Sequence, residues 1–302
     1  MKDEFSWASA GKSQREFFMI EESFSNDQGE NDLFLIKPTQ GWRFLNYREL
    51  LNYRELLYFL IWRDLRVRYK QTVIGVAWVV LQPLLTMLIF TIIFGYLMKV
   101  PSGGLPYPVF VYSALLPWIY FSSSLSQGST SLISNTNLIN KIYFPRLIIP
   151  LVSVTTHLID FALSFIILVG LMFWFGIQPT GRLLMVPGLL AIACLTALGI
   201  NLWFSALHVR YRDVGYLLPV IVQLWFYLSP IIYPISLVPG KWRILYSLNP
   251  MVAVIQGFRF AFLGMQGPEL PGMITSLLIV VALLVSGIIY FRSTEKTFAD
   301  II

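Results

Sequence analysis

The sequence predicts an all-α integral membrane protein with six transmembrane helices, an N-terminal amphipathic interfacial helix, and short outer-leaflet helices between spans five and six. Three observations carry that expectation. Long apolar segments fill the chain between residues 75 and 291, each close to the roughly 20 residues a helix needs to cross a hydrocarbon core. Hydrophobic residues make up 56% of the chain and charged residues only 13%, about half the charged share of a soluble domain. Lys and Arg, finally, gather on one side of the apolar segments.

Three regions follow in order: a polar, flexible tail over 1–40, an amphipathic interfacial helix region over 41–72, and the six-helix transmembrane domain over 73–302. The tail carries Asp3, Glu4, Glu16, Glu21, Glu22, Asp27, Glu30 and Asp32 among Ser, Asn and Gln, with no apolar run long enough for a signal peptide. Gly11-Lys12-Ser13 matches only the end of a phosphate-binding loop, because Ser6 stands where that loop needs glycine. Nucleotide chemistry is therefore expected on another chain.

Wound at 100° per residue, Leu50, Leu51, Leu57, Tyr58, Ile61, Trp62, Leu65 and Tyr69 share one face of the next segment. Arg48, Asn52, Glu55, Arg63, Arg66 and Lys70 share another, as in a helix lying at the membrane surface. Arg54 and Arg68 intrude on the apolar face and would snorkel to the headgroups. The hexapeptide LNYREL occurs twice, at 45–50 and 51–56, but a six-residue step turns the second copy by about 120° and builds no repeated face.

The spans are expected at 75–98, 108–125, 147–175, 183–207, 216–233 and 273–291. An even number of crossings puts both termini on one side. With that side cytoplasmic, all of the 22 cationic residues except Lys99, Arg182, Lys241, Arg243 and Arg259 lie inside, as the positive-inside rule requires. Between spans five and six, Asn249 followed by Pro250 makes a helix start and Gly264 a stop. One or two short helices dipping into the outer leaflet are expected there; the alternative is an additional hairpin across the membrane.

Few residues could carry chemistry. Asp160 is the one acidic residue deep in a predicted span, and His157 lies on the same helical face. Such an intramembrane pair reads either as a proton relay or as a structural pair satisfied by a neighbouring helix. With two histidines and the single Cys194 in the chain, no nucleophilic triad, disulfide or metal-ligand set can be assembled. No cofactor is expected on this chain, and the formal charge of +6 suits anionic lipid or anionic cargo rather than nucleic acid. Aromatics reach 16%. Trp78, Trp118, Tyr120, Phe121, Trp174 and Trp242 sit where interfacial anchors belong. Phe90, Phe94, Tyr112, Trp225, Phe226 and Tyr227 fall within or near spans one, two and five and are candidate pore aromatics, able to stack on sugar rings. Between spans two and three, Asn137 to Arg146, with Asn140, Lys141, Ile142, Tyr143, Phe144, Pro145 and Arg146 at its end, form a short amphipathic segment suited to docking a soluble partner, or an ordinary connecting loop.

The run LYFLIWRDLRVRYKQTVIGVAW from Leu57 to Trp78, followed by Leu81-Gln82-Pro83-Leu84, resembles the start of ABC-2 type permeases that export polysaccharides. The KIYFPR segment at 141–146 resembles that family's cytoplasmic coupling segment, and RYRDV at 210–214, SPIIYP at 229–234 and Asn249-Pro250 resemble later motifs. The resemblance covers about residues 45–292. It implies a homodimer of permeases in the bacterial inner membrane, with both termini cytoplasmic. Two copies of a cytoplasmic ABC ATPase holding ATP and Mg would drive it, and lipid-linked polysaccharide would be the cargo. It further implies that Asn140 through Arg146 contact the ATPase, that the helix over 47–70 is a gate helix, and that 234–264 forms the outer-leaflet helices. Arg63, Arg66, Arg68 and Lys70 would meet lipid headgroups or the pyrophosphate of the arriving cargo, membrane topology being the other reason for their charge. The alternatives are a proton-coupled carrier using His157 and Asp160, a membrane assembly protein without a transport role, or an ABC-2 exporter of a drug or small lipid.

Overall fold

A computed structural model describes residues 51–70 and 75–298. The expectations for the acidic tail and for the first LNYREL copy lie outside the described residues. Within them all regular secondary structure is helical. The first helix, α1 (Arg54–Lys70), precedes α2 (Ala77–Phe90), which runs on as a π-helix through Leu97. Then follow α3 (Tyr107–Ser134), the short α4 (Thr136–Lys141), α5 (Ile148–Trp174), and α6 (Val186–Arg210), the last led in by a 3₁₀ turn. The chain closes with α7 (Val214–Tyr227), α8 (Gly240–Ser247), α9 (Pro250–Leu263) and α10 (Leu270–Glu295).

Five of these stretches are long and apolar enough to cross a membrane: Ala77–Leu97, Tyr107–Ser134, Ile148–Trp174, Gly181–Arg210 and Leu270–Glu295. They coincide with predicted spans one to four and six. At the fifth predicted span the helix is α7, with 14 residues, about 21 Å long and short of a full hydrocarbon core by itself. Span two is longer than its hydropathy suggests. Beyond Leu125 the segment turns rich in Ser and Thr, yet the helix continues because these hydroxyls bond back into it: Ser129 to the Ser126 carbonyl at 3.0 Å, Ser131 to Gly128 at 2.6 Å, Ser134 to Thr130 at 3.0 Å.

α3 is the hub. Phe110, Val111, Tyr112, Ala114 and Phe121 are inaccessible, packed among α5, α6 and α9. α9 begins and ends as the sequence leads one to expect: Asn249 Oδ1 accepts the Met251 N–H at 3.0 Å, and Gly264 stops the helix at φ +67°. A second, smaller core joins Leu60 of α1 to Ile139, Phe144, Ile148, Val209, Phe291 and Phe298, so the ends of α3, α6 and α10 gather there with the α4–α5 link. The predicted cytoplasmic cations Lys141, Arg146, Arg210 and Arg292 are at this end.

α6 and α10 approach through small residues. A Cβ on Gly287 would lie 2.6 Å from the Gly199 carbonyl oxygen, and one on Gly199 would lie 2.9 Å from the Leu284 nitrogen. Just beyond, Trp203 and Tyr290 stack with ring centroids 4.3 Å apart. Because backbone stands against backbone, nothing flexible can yield. Gly287→Leu is expected to pry these helices apart and cost about 1–3 kcal/mol, read as a lowered midpoint of thermal unfolding in detergent. Gly170→Leu, on an open face of α5, should leave that midpoint unchanged.

Candidate functional site: a polar seam beneath the first helix

The polar side chains singled out in the sequence converge where α1 crosses α3 and α5. Only Leu60 of α1 is buried, 2% exposed, and it anchors the helix in the smaller core. The remaining attachment is largely polar. Arg63 donates to Asp64 Oδ1 at 2.7 Å and to Asn135 Oδ1 at 2.7 Å, while Gln127 Nε2 reaches Asp64 Oδ2 at 3.4 Å. One turn on, Arg68 Nη1 meets Asp160 Oδ2 at 2.5 Å. Its Nη2 donates to Gln127 Oε1 and lies 3.3 Å from His157 Nε2. Tyr69 donates its hydroxyl to the other Asp160 oxygen.

Arg68 therefore does not snorkel to the headgroups. Its guanidinium turns into the protein, where Asp160 is its charge partner and Gln127 and His157 complete its hydrogen bonding. His157 Nδ1 sits 2.7 Å from the Ser153 carbonyl, so that nitrogen carries the proton and Nε2 faces Arg68 as acceptor. Burial, followed by the Asp160 carboxylate, pushes the Tyr69 phenol up to about 12, which keeps it a donor at neutral pH. Asp160 thus holds two partners from α1. A cavity of about 410 Å³ lies beneath, between Leu60, Val67 and Val152 on one side and Gln127, Thr130 and Asn135 on the other.

The four candidate gate cations separate. Arg63 and Arg68 are committed to the protein, whereas Arg66 and Lys70 are exposed, Arg66 with its guanidinium over the Trp62 ring at 4.5 Å. The exposed side of α1 also presents Tyr58, Phe59 and Trp62. Arg54 is exposed as well.

The candidate coupling segment has an anchored half and a free half. Phe144 and Pro145 are buried, and Arg146 is tied to the end of α10 by its backbone N–H to Glu295 Oε1 at 3.2 Å and by its guanidinium to the Glu295 carbonyl. Asn140, Lys141, Ile142 and Tyr143 are exposed, Ile142 and Tyr143 by 53% and 69%. Tyr211 of the α6–α7 link is exposed too, with Arg210 over its ring.

Five of the six candidate pore aromatics are contiguous. Phe90 contacts Phe94 and Phe226, Phe226 contacts Trp118 and Tyr227, and Trp225 contacts Phe121, at centroid distances of 5.2–5.8 Å. They join α2, α3 and α7. Tyr112 stands apart, fully buried with its hydroxyl 3.3 Å from the Ser164 carbonyl. Sequence reasoning missed Gln127 and Asn135. They lie eight residues apart, beyond the apolar run, and such a recurrence of amides on a helix that keeps its hydroxyls occupied was the available signal.

The structure is an all-α bundle with helices long and apolar enough to cross a membrane, to which α1 is latched by polar contacts. The chain belongs to the family described as ABC-2 type transporter, which it matches over residues 55–263. It is similar to the O-antigen export system permease protein RfbA of Myxococcus xanthus, at 30% identity over 84% of this chain and 97% of that protein. An RfbA of Klebsiella pneumoniae is 31% identical over 80% of this chain and 92% of its own length. The polysialic acid transport protein KpsM of Escherichia coli is 26% identical over 65% and 77% respectively.

Because the Arg68–Asp160 pair is largely shielded, with side chains 28% and 18% exposed, removing one member strands the other. Arg68→Gln or Asp160→Asn alone is expected to cost about 1–3 kcal/mol. The double variant should cost less than the sum of the two. Thermal unfolding of the four purified proteins, taken as a double-mutant cycle, measures the coupling.

Proposed function

We propose that this chain is the permease subunit of an ATP-driven exporter that moves lipid-linked, O-antigen-like polysaccharide across the bacterial inner membrane. It works as a homodimer with two copies of a separate cytoplasmic ABC ATPase, which holds the ATP and Mg. Six crossings with both termini in the cytoplasm fit the charge distribution, α7 and the turn after it forming the fifth. The observation that carries the reading is the likeness along nearly the whole length of O-antigen export permeases. The geometry supports it at the charged end. There the knob at Lys141, Ile142 and Tyr143 offers a rigid apolar contact to a soluble partner, since Phe144, Pro145 and Arg146 fix its base.

In this reading, closure of the ATPase pair pushes on the knob and opens a path between two copies of α2 and α7, whose aromatic rings suit passing sugars. Arg66 and Lys70, exposed on the interfacial helix, meet lipid phosphate as cargo arrives. Arg63 and Arg68 hold that helix in place. The engagement of Asp160 by Arg68 and Tyr69 supports a structural role for the His157 and Asp160 pair over a proton relay.

Two outcomes test this. Ile142→Glu and Tyr143→Glu, placing charge on exposed positions, should leave thermal stability within about 0.5 kcal/mol yet abolish surface polysaccharide in cells. Export that persists in both refutes the knob as the ATPase contact. Arg66→Glu combined with Lys70→Glu should reduce export while membrane insertion is retained, with surface polysaccharide measured by immunoblot. A parent chain that exports no polysaccharide in the presence of its ATPase overturns the functional reading.

A further inference from the structure

Far from the seam, at the end opposite the knob, Arg259 of α9 is 3% exposed, in a helix whose other side chains are apolar except for Gln256. Sequence reasoning counted it only as an external cation. Among the described residues no carboxylate lies within ion-pair distance of it. An unpaired buried charge is costly and persists only where other groups solvate it. Here the solvating groups are backbone carbonyls. Arg259 Nη2 donates to the Ile231 oxygen at 2.7 Å and Nη1 to the Tyr233 oxygen at 3.2 Å, with the guanidinium carbon 3.7 Å from the centre of the Phe110 ring.

Those carbonyls belong to the non-helical segment 228–234 that follows α7. Irregular backbone at membrane depth is tolerated only when the protein supplies its hydrogen bonds. The intervening carbonyl, Ile232, accepts from the buried Tyr107 hydroxyl at 2.8 Å. Ser229 Oγ accepts from Asn249 Nδ2 at 3.0 Å and donates to the Trp225 carbonyl at 2.9 Å. Side chains of α3 and α9 thus stitch three consecutive carbonyls. Tyr233, held through its own carbonyl, returns its hydroxyl to the Tyr227 carbonyl at 3.0 Å. A continuous chain of contacts therefore runs from Arg259 to the end of α7, where Trp225, Phe226 and Tyr227 meet the rings of α2 and α3.

We infer that Arg259 is a positioning residue for transport: its planar fork bridges the Ile231 and Tyr233 carbonyls, terminates α7 at Tyr227, and thereby sets the aromatic cluster between α2 and α7. The consequence for export rests on the function proposed above; the positioning itself does not. The fork is the essential element. A lysine would preserve the charge but offers a point donor in place of two directed N–H groups on adjacent nitrogens.

The experiment uses the full chain with its ATPase in native membranes. On a Cys194→Ser background, Phe90→Cys and Phe226→Cys are joined by a short thiol-bridging reagent to report the packing of α2 against α7. Export is measured separately on chains with native aromatics. Arg259→Gln and Arg259→Lys are both expected to lower bridging severalfold and to lower export, with the protein still accumulating in the membrane. Arg259→Lys behaving as its parent in both assays overturns the inference, since charge alone would then suffice. Unchanged bridging with lost export overturns it as well. Should the Arg259 variants fail to accumulate, Tyr233→Phe deletes the last link together with the Tyr246 hydroxyl contact at 2.7 Å, and unchanged bridging there refutes the chain of contacts. A parent that bridges normally but exports no polysaccharide counts against the proposed function and leaves the positioning result standing.

Discussion

The constraint on which the structure depends is that a bilayer offers no partner to a polar group, so every charge and every break in a helix at membrane depth must be satisfied from within. Two arginines show the two available solutions. Arg68 finds a carboxylate, Asp160, and gains amide and imidazole neighbours. Arg259 is solvated instead by two carbonyls that a helix break has freed. In the first case the charge pair fastens one helix to two others. In the second, the two Nη groups and the carbonyls freed by the helix break satisfy each other, with the buried Nε left without a partner.

The spans were legible in the sequence because hydropathy measures the one property the bilayer selects. Spans three and six fell within a few residues of α5 and α10 for that reason. Span two was cut short, since its serines and threonines lower hydropathy without breaking a helix in which they bond to the preceding turn. The cap at Asn249 and the stop at Gly264 were readable because local backbone geometry demands those residues. What a periodicity argument cannot supply is the direction in which an intruding charge turns. Arg68 occupied the wrong face for a surface helix, which marked it as unusual, but its partner is 92 residues away on another helix. Arg259 was invisible for the same reason: its partners are main-chain atoms, which carry no residue signature.

The knob at the charged end illustrates how a loop becomes a mechanical element. A flexible connection would absorb a push from a partner. Here Phe144 is buried in the smaller core and Arg146 is tied to the end of α10, so displacement at Tyr143 must be passed to α5 and α10 or resisted by them. The exposed half is Asn140, Lys141, Ile142 and Tyr143 and the anchored half is Phe144, Pro145 and Arg146, a division of labour that hydropathy alone reads as a single amphipathic segment.

Burial is distributed unevenly within the single chain, and the unevenness shows where polar attachments carry most of the contact. α3 is buried along most of its length, and α5, α6, α9 and α10 close on it or on each other through large apolar contacts and glycine-mediated backbone approach. Pro83 is the only buried residue of α2 and its π-helical extension, Leu60 the only one of α1, and Val214 and Leu218 the only ones of α7. The apolar contacts of α2 and α7 are made mostly by partly covered side chains packed on the larger core, among them Leu84, Met87, Phe90, Val222 and Phe226. These two helices and α1 also carry the exposed cations Arg66 and Lys70 and the aromatic cluster of Phe90, Phe94 and Phe226. The Arg68–Asp160 pair and the Arg259 carbonyl bridges therefore place directed polar attachments on α1 and on the segment after α7, where fully buried apolar side chains are fewest and register would otherwise rest on non-directional contacts.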